Sequence, residues 1–253
     1  MRNTVVIDSL PESAARYRRG YAVVAVDVVR ATTTAITAAA SGRRCFPVPT
    51  MNAAVQLAGH LKDPLLAGEQ RGIKPPGFHL NNSPAQLAGR RDLERPLILL
   101  SSSGTRLCHE AAQCDAAFLA CLRNYIPAAR HLAGRFSAVA LIGAGSHEEF
   151  REEDQMCCAW IAECLLDLGY VAADANTVEI VRRWSNKPAH AWIANKSANY
   201  LRSSGQAADL DFILEHVADL DAPFALRNGE VLVDVPPLKS ATGESAGNGF
   251  YDA

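Results

Sequence analysis

Asp27 stands near the end of the apolar run Tyr21 to Val29 and is followed closely by Arg30 and Thr32, Thr33 and Thr34. A carboxylate in such company is costly to bury unless it is paired or bound to a metal. Glu69 lies just beyond another short apolar run, and Glu152, Glu153 and Asp154 open a helical pattern. Carboxylates that meet at the ends of sheet strands are hard oxygen ligands of the kind magnesium takes. Such an ion bridges to a phosphate, neutralises its charge and orients a nucleophile. Each acid also has a simpler role open to it. Asp27 can pair with Arg30, Glu69 can be a solvated loop residue, and acids in a first helical turn suit the helix dipole, the better account of Glu152.

Arg30, Arg71 and Arg106 stand beside these acids or beside runs of small polar residues. Arginine grips phosphate, sulfonate or carboxylate through two parallel hydrogen bonds. The same residues can be plain surface cations, as Arg16, Arg18 and Arg19 are expected to be on an exposed helix face. The small polar runs are Thr32 to Thr34, Ser101 to Thr105 and Gly143 to Ser146. Serine, threonine and glycine let an anion approach the backbone closely and add hydroxyl donors. One such loop is adequately explained as a helix cap or turn. Three in one chain point to an oxyanion site.

The elements that must position these residues follow one pattern: apolar strand, small polar loop, helix. Strands are expected at Tyr21 to Val29, Leu97 to Leu100 and Ala138 to Ile142. The helices that follow are expected to run to about Ala40, with Gly42 as a stop, from Arg106 to about Gln113, and from about Glu152. In the last, Cys157, Trp160, Ile161, Cys164, Leu165 and Leu168 recur at three- and four-residue spacing. This alternation predicts an α/β fold, layered α/β/α, with a largely parallel or mixed sheet. In such sheets the loops gather at the carboxyl ends of the strands, where ligands bind and helix starts favour anions. Further along, Asp174 to Val181 is expected as a strand, and Ala189 to about Arg202 and Leu210 to Leu220 as helices. Asn228-Gly229 between apolar runs predicts a C-terminal hairpin. Residues 1–238 are expected as one domain and 239–253, rich in Ser, Gly and Ala, as a flexible tail.

Several familiar chemistries lack their motif. No GxxxxGK[ST] occurs, and Gly143-Ala144-Gly145 is not completed by a third glycine, since position 148 is Glu. No GxSxG surrounds Ser101 to Ser103. His147-Glu148 has no second histidine at zincin spacing, Asp27 has no second aspartate two residues on, and no cysteine is followed six residues later by arginine. Composition narrows the field further. The formal charge of -2 gives no general attraction to nucleic acid or to an anionic membrane. The seven cysteines form no CxxC pair, which leaves structural zinc little support. No secretory leader is expected from the N-terminus, and no uncharged apolar run reaches the roughly 18 residues of a membrane span. A reduced cytoplasmic protein is the expectation.

Four stretches resemble the 2-phosphosulfolactate phosphatase family. Asp27 to Thr34 is similar to its DVLRATTT signature. Ala67-Gly68-Glu69 and Gly77 to Pro84 are similar to its AGER…GFDLGNSP segment. Ser101 to Arg106 stands where the family has TTNGTR, and Glu153-Asp154 resembles its ED at a helix start, with Asn124 at the place of a family asparagine. The resemblance covers about residues 20 to 240. It implies a compact α/β enzyme that uses Mg2+ to remove phosphate from 2-phospho-3-sulfolactate, a step that in its best-known setting leads to coenzyme M. It implies Asp27, Glu69, Arg30 and Asp154 as catalytic residues, and Asp27, Glu69, Glu153 and Asp154 as metal ligands. Substrate binding would fall to Thr32, Thr33, Arg71, Asn82, Ser83, Ser103, Gly104, Thr105, Arg106 and Asn124. The partners expected are a small phosphorylated acid and, if the chain assembles, a second copy in a homodimer, with no nucleic acid and no membrane. The chain departs from the family at Gln70, His79, Asn81 and Ser103. These lie in pocket-forming loops, so a related phosphorylated metabolite, or lyase, transferase or anion-binding use of the same site, stays open beside hydrolysis.

Overall fold

The computed structural model describes residues 2–145 and 149–234. The expected tail at 239–253, and Ser146 of the third polar loop, lie outside the described residues. The chain opens with β1 (Thr4–Ser9), a 3-10 helix over Pro11–Tyr17, β2 (Ala22–Val26), α1 (Ala31–Ala40), β3 (Cys45–Val48), α2 (Met51–Ala58) and β4 (Leu65–Gly68). It continues through α3 (Pro84–Ala88), β5 (Leu97–Leu100), α4 (Gly104–Ala111), β6 (Ala116–Ala120), α5 (Tyr125–Leu132), β7 (Ala138–Gly143) and α6 (Glu152–Asp167). It ends with β8 (Val171–Ala172), α7 (Ala175–Trp184), α8 (Lys196–Ser203), α9 (Ala207–Glu215), β9 (Phe224–Arg227) and β10 (Glu230–Val233).

The strands form two sheets. The larger has seven strands in the order β10-β9-β6-β2-β7-β1-β8, and the smaller has β3-β5-β4. Every pairing is parallel except those of β9 with β6 and with β10. Parallel strands are covered on both faces, which is why β2 reads as an unbroken apolar run. Its alternate residues serve two cores: Ala22, Val24 and Val26 face the α5 and α6 side, while Val23 and Ala25 face α1 and α4. All five are fully buried, and each valine contributes roughly 1.5–3 kcal/mol of burial. Leu97 and Leu99 of β5 share the second core, and Ile98 and Leu100 a third one under α2.

Helices α1 and α4 therefore lie between the two sheets. This explains the Ala and Thr of α1, where Ala31 through Ala38 are all buried. A helix enclosed on every side has no polar stripe to show. The smaller sheet adds a layer beyond the expected α/β/α sandwich. Five of the seven cysteines (Cys45, Cys108, Cys121, Cys157 and Cys158) are packed in these cores, and none of the seven forms a disulfide.

The C-terminal hairpin is present. Asn228 and Gly229 take φ of 52° and 78°, the paired positive values that a tight two-residue turn requires. Asp174 to Val181 is not a strand. Asp174 accepts a hydrogen bond from the Thr177 backbone at 2.7 Å and starts α7, whose Thr177, Ile180, Val181 and Trp184 turn one face inward. The capping aspartate outweighs the β-branched residues behind it. The helix expected from Ala189 begins only at Lys196, where Asn195 caps it through the Ala198 backbone at 2.9 Å. Of the described helices, none is long and apolar enough to cross a membrane.

Candidate active site

The carboxyl ends of β2 and β7 lie side by side, because these strands pair in register through Val26 and Gly143. Asp27 leaves β2 there. Asp154, in the first turn of α6, reaches back to the same place. Its carboxylate accepts hydrogen bonds from the Val28 backbone at 2.7 Å and from the Gly145 backbone at 3.3 Å. The start of α4 closes the other side of Asp27. A Cβ on Gly104 would stand 2.0 Å from Asp27 Oδ2, so only glycine fits this approach.

Both acids are almost fully buried. Burial pushes Asp27 up to about 7; the Ala31 backbone hydrogen bond pulls it down, while the charges of Glu69 and Glu153 add to the rise. Asp154 is held well above the usual carboxylate range by burial and by the charges of Asp27 and Glu153. Two buried acids at adjacent strand ends, one of them raised by the charge of the other, form a site for shared positive charge.

A cavity of about 940 Å³ opens above them. Of the residues implied by sequence, Asp27, Arg30, Glu69, Arg71, Asn82, Ser103, Arg106 and Asp154 line it. Glu69 is fully engaged: its carboxylate accepts from the Ser102 backbone at 2.7 Å, the Ser102 hydroxyl at 3.0 Å and the Gly72 backbone at 2.6 Å. It clamps the loop after β4 to the loop after β5. Arg30 is committed as well, donating through Nη1 to Asp209 at 2.5 Å and to Gln206 at 2.7 Å. Asp209 in turn accepts from Ser83 Oγ at 2.5 Å and from the Ala85 backbone at 3.1 Å. Arg106 pairs with Glu12 at the exposed rim.

Other implied residues face the protein rather than the cavity. Thr32 Oγ1 lies 2.8 Å from the Asp27 carbonyl and 2.7 Å from that of Ala120, and Thr33 donates to Val28. These threonines fasten the start of α1 under Asp27. Thr105 is tied to Ser101 through three bonds. Asn124 bonds the backbone at Cys121 and Leu119. Glu153 accepts from Asn195 at 2.5 Å and so joins α6 to the turn before α8.

Sequence reading missed the wall built by Arg151, Lys196, Ser197 and Tyr200. Tyr200 donates to the Gly72 carbonyl at 2.7 Å, joining α8 to the loop that Glu69 holds. Asn195 was the available signal. Placing a helix across 189–202 concealed this cap, and with it the start of α8 at the cavity.

Among the described residues, no three Asp, Glu, His or Cys side chains converge to hold an ion. Glu69 and Glu153 have other bonds to satisfy. Magnesium, however, is often held by one or two carboxylates, with water and substrate phosphate completing its shell. Asp27 and Asp154 fit that requirement. Asn82 supplies a further hard oxygen in the cavity wall: its Oδ1 is buried with no hydrogen-bond partner among the described residues.

A family model described as 2-phosphosulpholactate phosphatase matches residues 7–220. The chain belongs to this family. Three curated relatives, each named "Probable 2-phosphosulfolactate phosphatase", carry the likeness across both partners. That of Symbiobacterium thermophilum is 33% identical, over 76% of this chain and 86% of its own length. That of Deinococcus radiodurans is 34% identical over 81% and 86%, and that of Thermus thermophilus 33% over 83% and 91%. The 2-phosphosulfolactate phosphatases are phosphoric monoester hydrolases, and this chain is one of their family.

Proposed function

We propose that the cavity hydrolyses the phosphomonoester of a small acid, with 2-phospho-3-sulfolactate as substrate and Mg2+ as cofactor. The observation that carries this reading is the buried pair Asp27 and Asp154, set beneath the cavity between the starts of α4 and α6. An uncompensated carboxylate pair is a poor floor for an anionic substrate unless a cation sits between them. Asp27 and Asp154 would hold that ion, with Asn82 Oδ1 open to it or to the substrate. When bound, Mg2+ would neutralise phosphoryl charge and help position the attacking oxygen.

The chain's own residues do the remaining work. Ser103, at the entry to α4, and Arg71 face the cavity where phosphate oxygens can be taken, and the helix start favours their charge. Glu69 keeps the Arg71 and Ser102 loops in register, so these donors need not be ordered by the substrate. Arg30, fixed by Asp209, presents a guanidinium edge held in advance. The reaction consumes one water: the bond between phosphorus and the ester oxygen breaks, water oxygen joins phosphorus, and the alcohol leaves with a proton. Phosphate and 3-sulfolactate result.

The test is release of inorganic phosphate from 2-phospho-3-sulfolactate with Mg2+ and with EDTA. Magnesium-dependent release is expected. Release that survives complete chelation would remove the metal from the reading, and failure to hydrolyse this or any small phosphomonoester would remove the phosphatase.

A further inference from the structure

Two cations on the cavity wall belong to none of the arrangements described above. Arg151 directly precedes α6, three residues before Asp154, and Lys196 opens α8. Both line the cavity, with Ser197 beside them. Their charged ends converge on one oxygen: Glu149 Oε2 lies 2.7 Å from Lys196 Nζ and 3.8 Å from Arg151 Nη1. The Glu149 side chain is 55% exposed, and that of Arg151 only 17%. An oxyanion from within the chain thus already rests between two cations, at the mouth of a cavity large enough for more than a phosphoryl group.

We infer that Arg151 and Lys196 form a second oxyanion subsite, which takes an acid group of the substrate other than its phosphate. The inference rests on the phosphatase reading and deepens it, since it assigns residues to the acid group of the substrate that the phosphate site does not take. Arg151, about one helical turn before Asp154, places the subsite on the Asp154 side of the cavity. An incoming carboxylate or sulfonate would exchange with the exposed Glu149 carboxylate. The exchange keeps charge balance, because one anion replaces another. Lys196, 76% exposed, can follow the substrate as it enters, whereas Arg151 is fixed in the wall.

The experiment compares kcat/KM for 2-phosphosulfolactate, 2-phospholactate and isopropyl phosphate in the full chain and its Arg151→Gln/Lys196→Gln variant. These esters carry two, one and no acid groups beyond phosphate. The variant is expected to lose about tenfold or more on the acids relative to isopropyl phosphate, as removal of charge-assisted hydrogen bonds does. Loss confined to 2-phosphosulfolactate assigns the subsite to sulfonate, and loss on both acids assigns it to carboxylate. An equal loss on all three esters, or none, overturns the inference. Should the double variant melt early, the exposed Lys196→Gln alone decides, with an expected relative loss of at least threefold. Should the wild type hydrolyse nothing, the phosphatase reading fails separately, and calorimetric titration with sulfolactate and inorganic phosphate tests the subsite. A sulfolactate affinity about tenfold weaker in the variant, relative to phosphate, upholds it. Unchanged relative affinities, or no sulfolactate binding by the wild type, overturn it.

Discussion

Arg30 and Asp209, separated by 179 positions in the chain, form an ion pair in which both side chains are at most 4% exposed. The pair ties the residue at the start of α1 to α9, and through Ser83 and Ala85 it fixes the start of α3. Removing one partner of such a pair leaves a buried charge without compensation, which costs about 3–5 kcal/mol. Asp209→Ala is expected to lower the unfolding free energy by about that amount in urea titration. Asp209→Asn, which keeps hydrogen-bonding capacity, should lose less. A cost under about 1 kcal/mol for Asp209→Ala would show that Arg30 finds another partner.

Gly104 offers a sharper test of the floor of the cavity. A methyl group there meets Asp27 Oδ2 at 2.0 Å and Ala31 Cβ at 2.5 Å. Asp27 must move, and displacement of a reacting group by about an ångström commonly costs about 100-fold in rate. Gly104→Ala is expected to retain its fold by circular dichroism and to lose phosphatase activity to about that extent. Near-normal turnover would separate Asp27 from the chemistry.

The raised pKa values of the carboxylate pair set a dependence on pH. Asp27 titrates near 3.8 in an unfolded chain and at about 7 in the fold. Its folded value is the higher, so the stabilisation it gives in protonated form is complete below the unfolded value and lost as pH rises towards 7. The metal-free protein should therefore weaken from pH 4 to pH 8 at this site. Asp27→Asn, uncharged throughout, should flatten that change, be more stable than wild type by roughly 1–3 kcal/mol at pH 8, and be inactive. Thermal melting of both proteins in EDTA across this range is the check. Parallel pH profiles would contradict the burial argument.

Much of the fold could be read from the chain because buried parallel strands leave unmistakable apolar runs. Tyr21 to Val29, Leu97 to Leu100 and Ala138 to Ile142 each contain a strand, and the small polar residues after them lie at the carboxyl ends. Asp27, Asp154, Arg71 and Ser103 were legible because acids and small polar groups beside such runs stand out. The second sheet was not. β3 and β4 are four residues each and β3 contains Pro47, so neither presents a periodic pattern long enough to distinguish it from a loop. The roles of Asp209 and Lys196 were hidden for a different reason. Each is an ordinary charge on a helical stretch, and only the folding of α8 and α9 over the strand ends brings Lys196 to the cavity and Asp209 to Arg30. Thr32 and Thr33 show the reverse: their composition suggests ligand binding, while the fold uses their hydroxyls on backbone carbonyls.

The cysteines enclosed in the cores give the molecule an internal clock. Burial pushes the thiols of Cys108 and Cys121 up to about 12 and about 11, and holds Cys45, Cys157 and Cys158 high as well. Thiol chemistry proceeds through the thiolate, so alkylating reagents should reach only Cys114 and Cys164 while the protein stays closed. The other five become reactive when the layers separate. Mass spectrometry of timed alkylation would then follow each layer on its own, with Cys45 reporting on the small sheet and Cys157 and Cys158 on the packing of α6. Simultaneous modification of all five would mark the two sheets as opening in a single event, and early modification of Cys45 would mark the smaller sheet as the first to part.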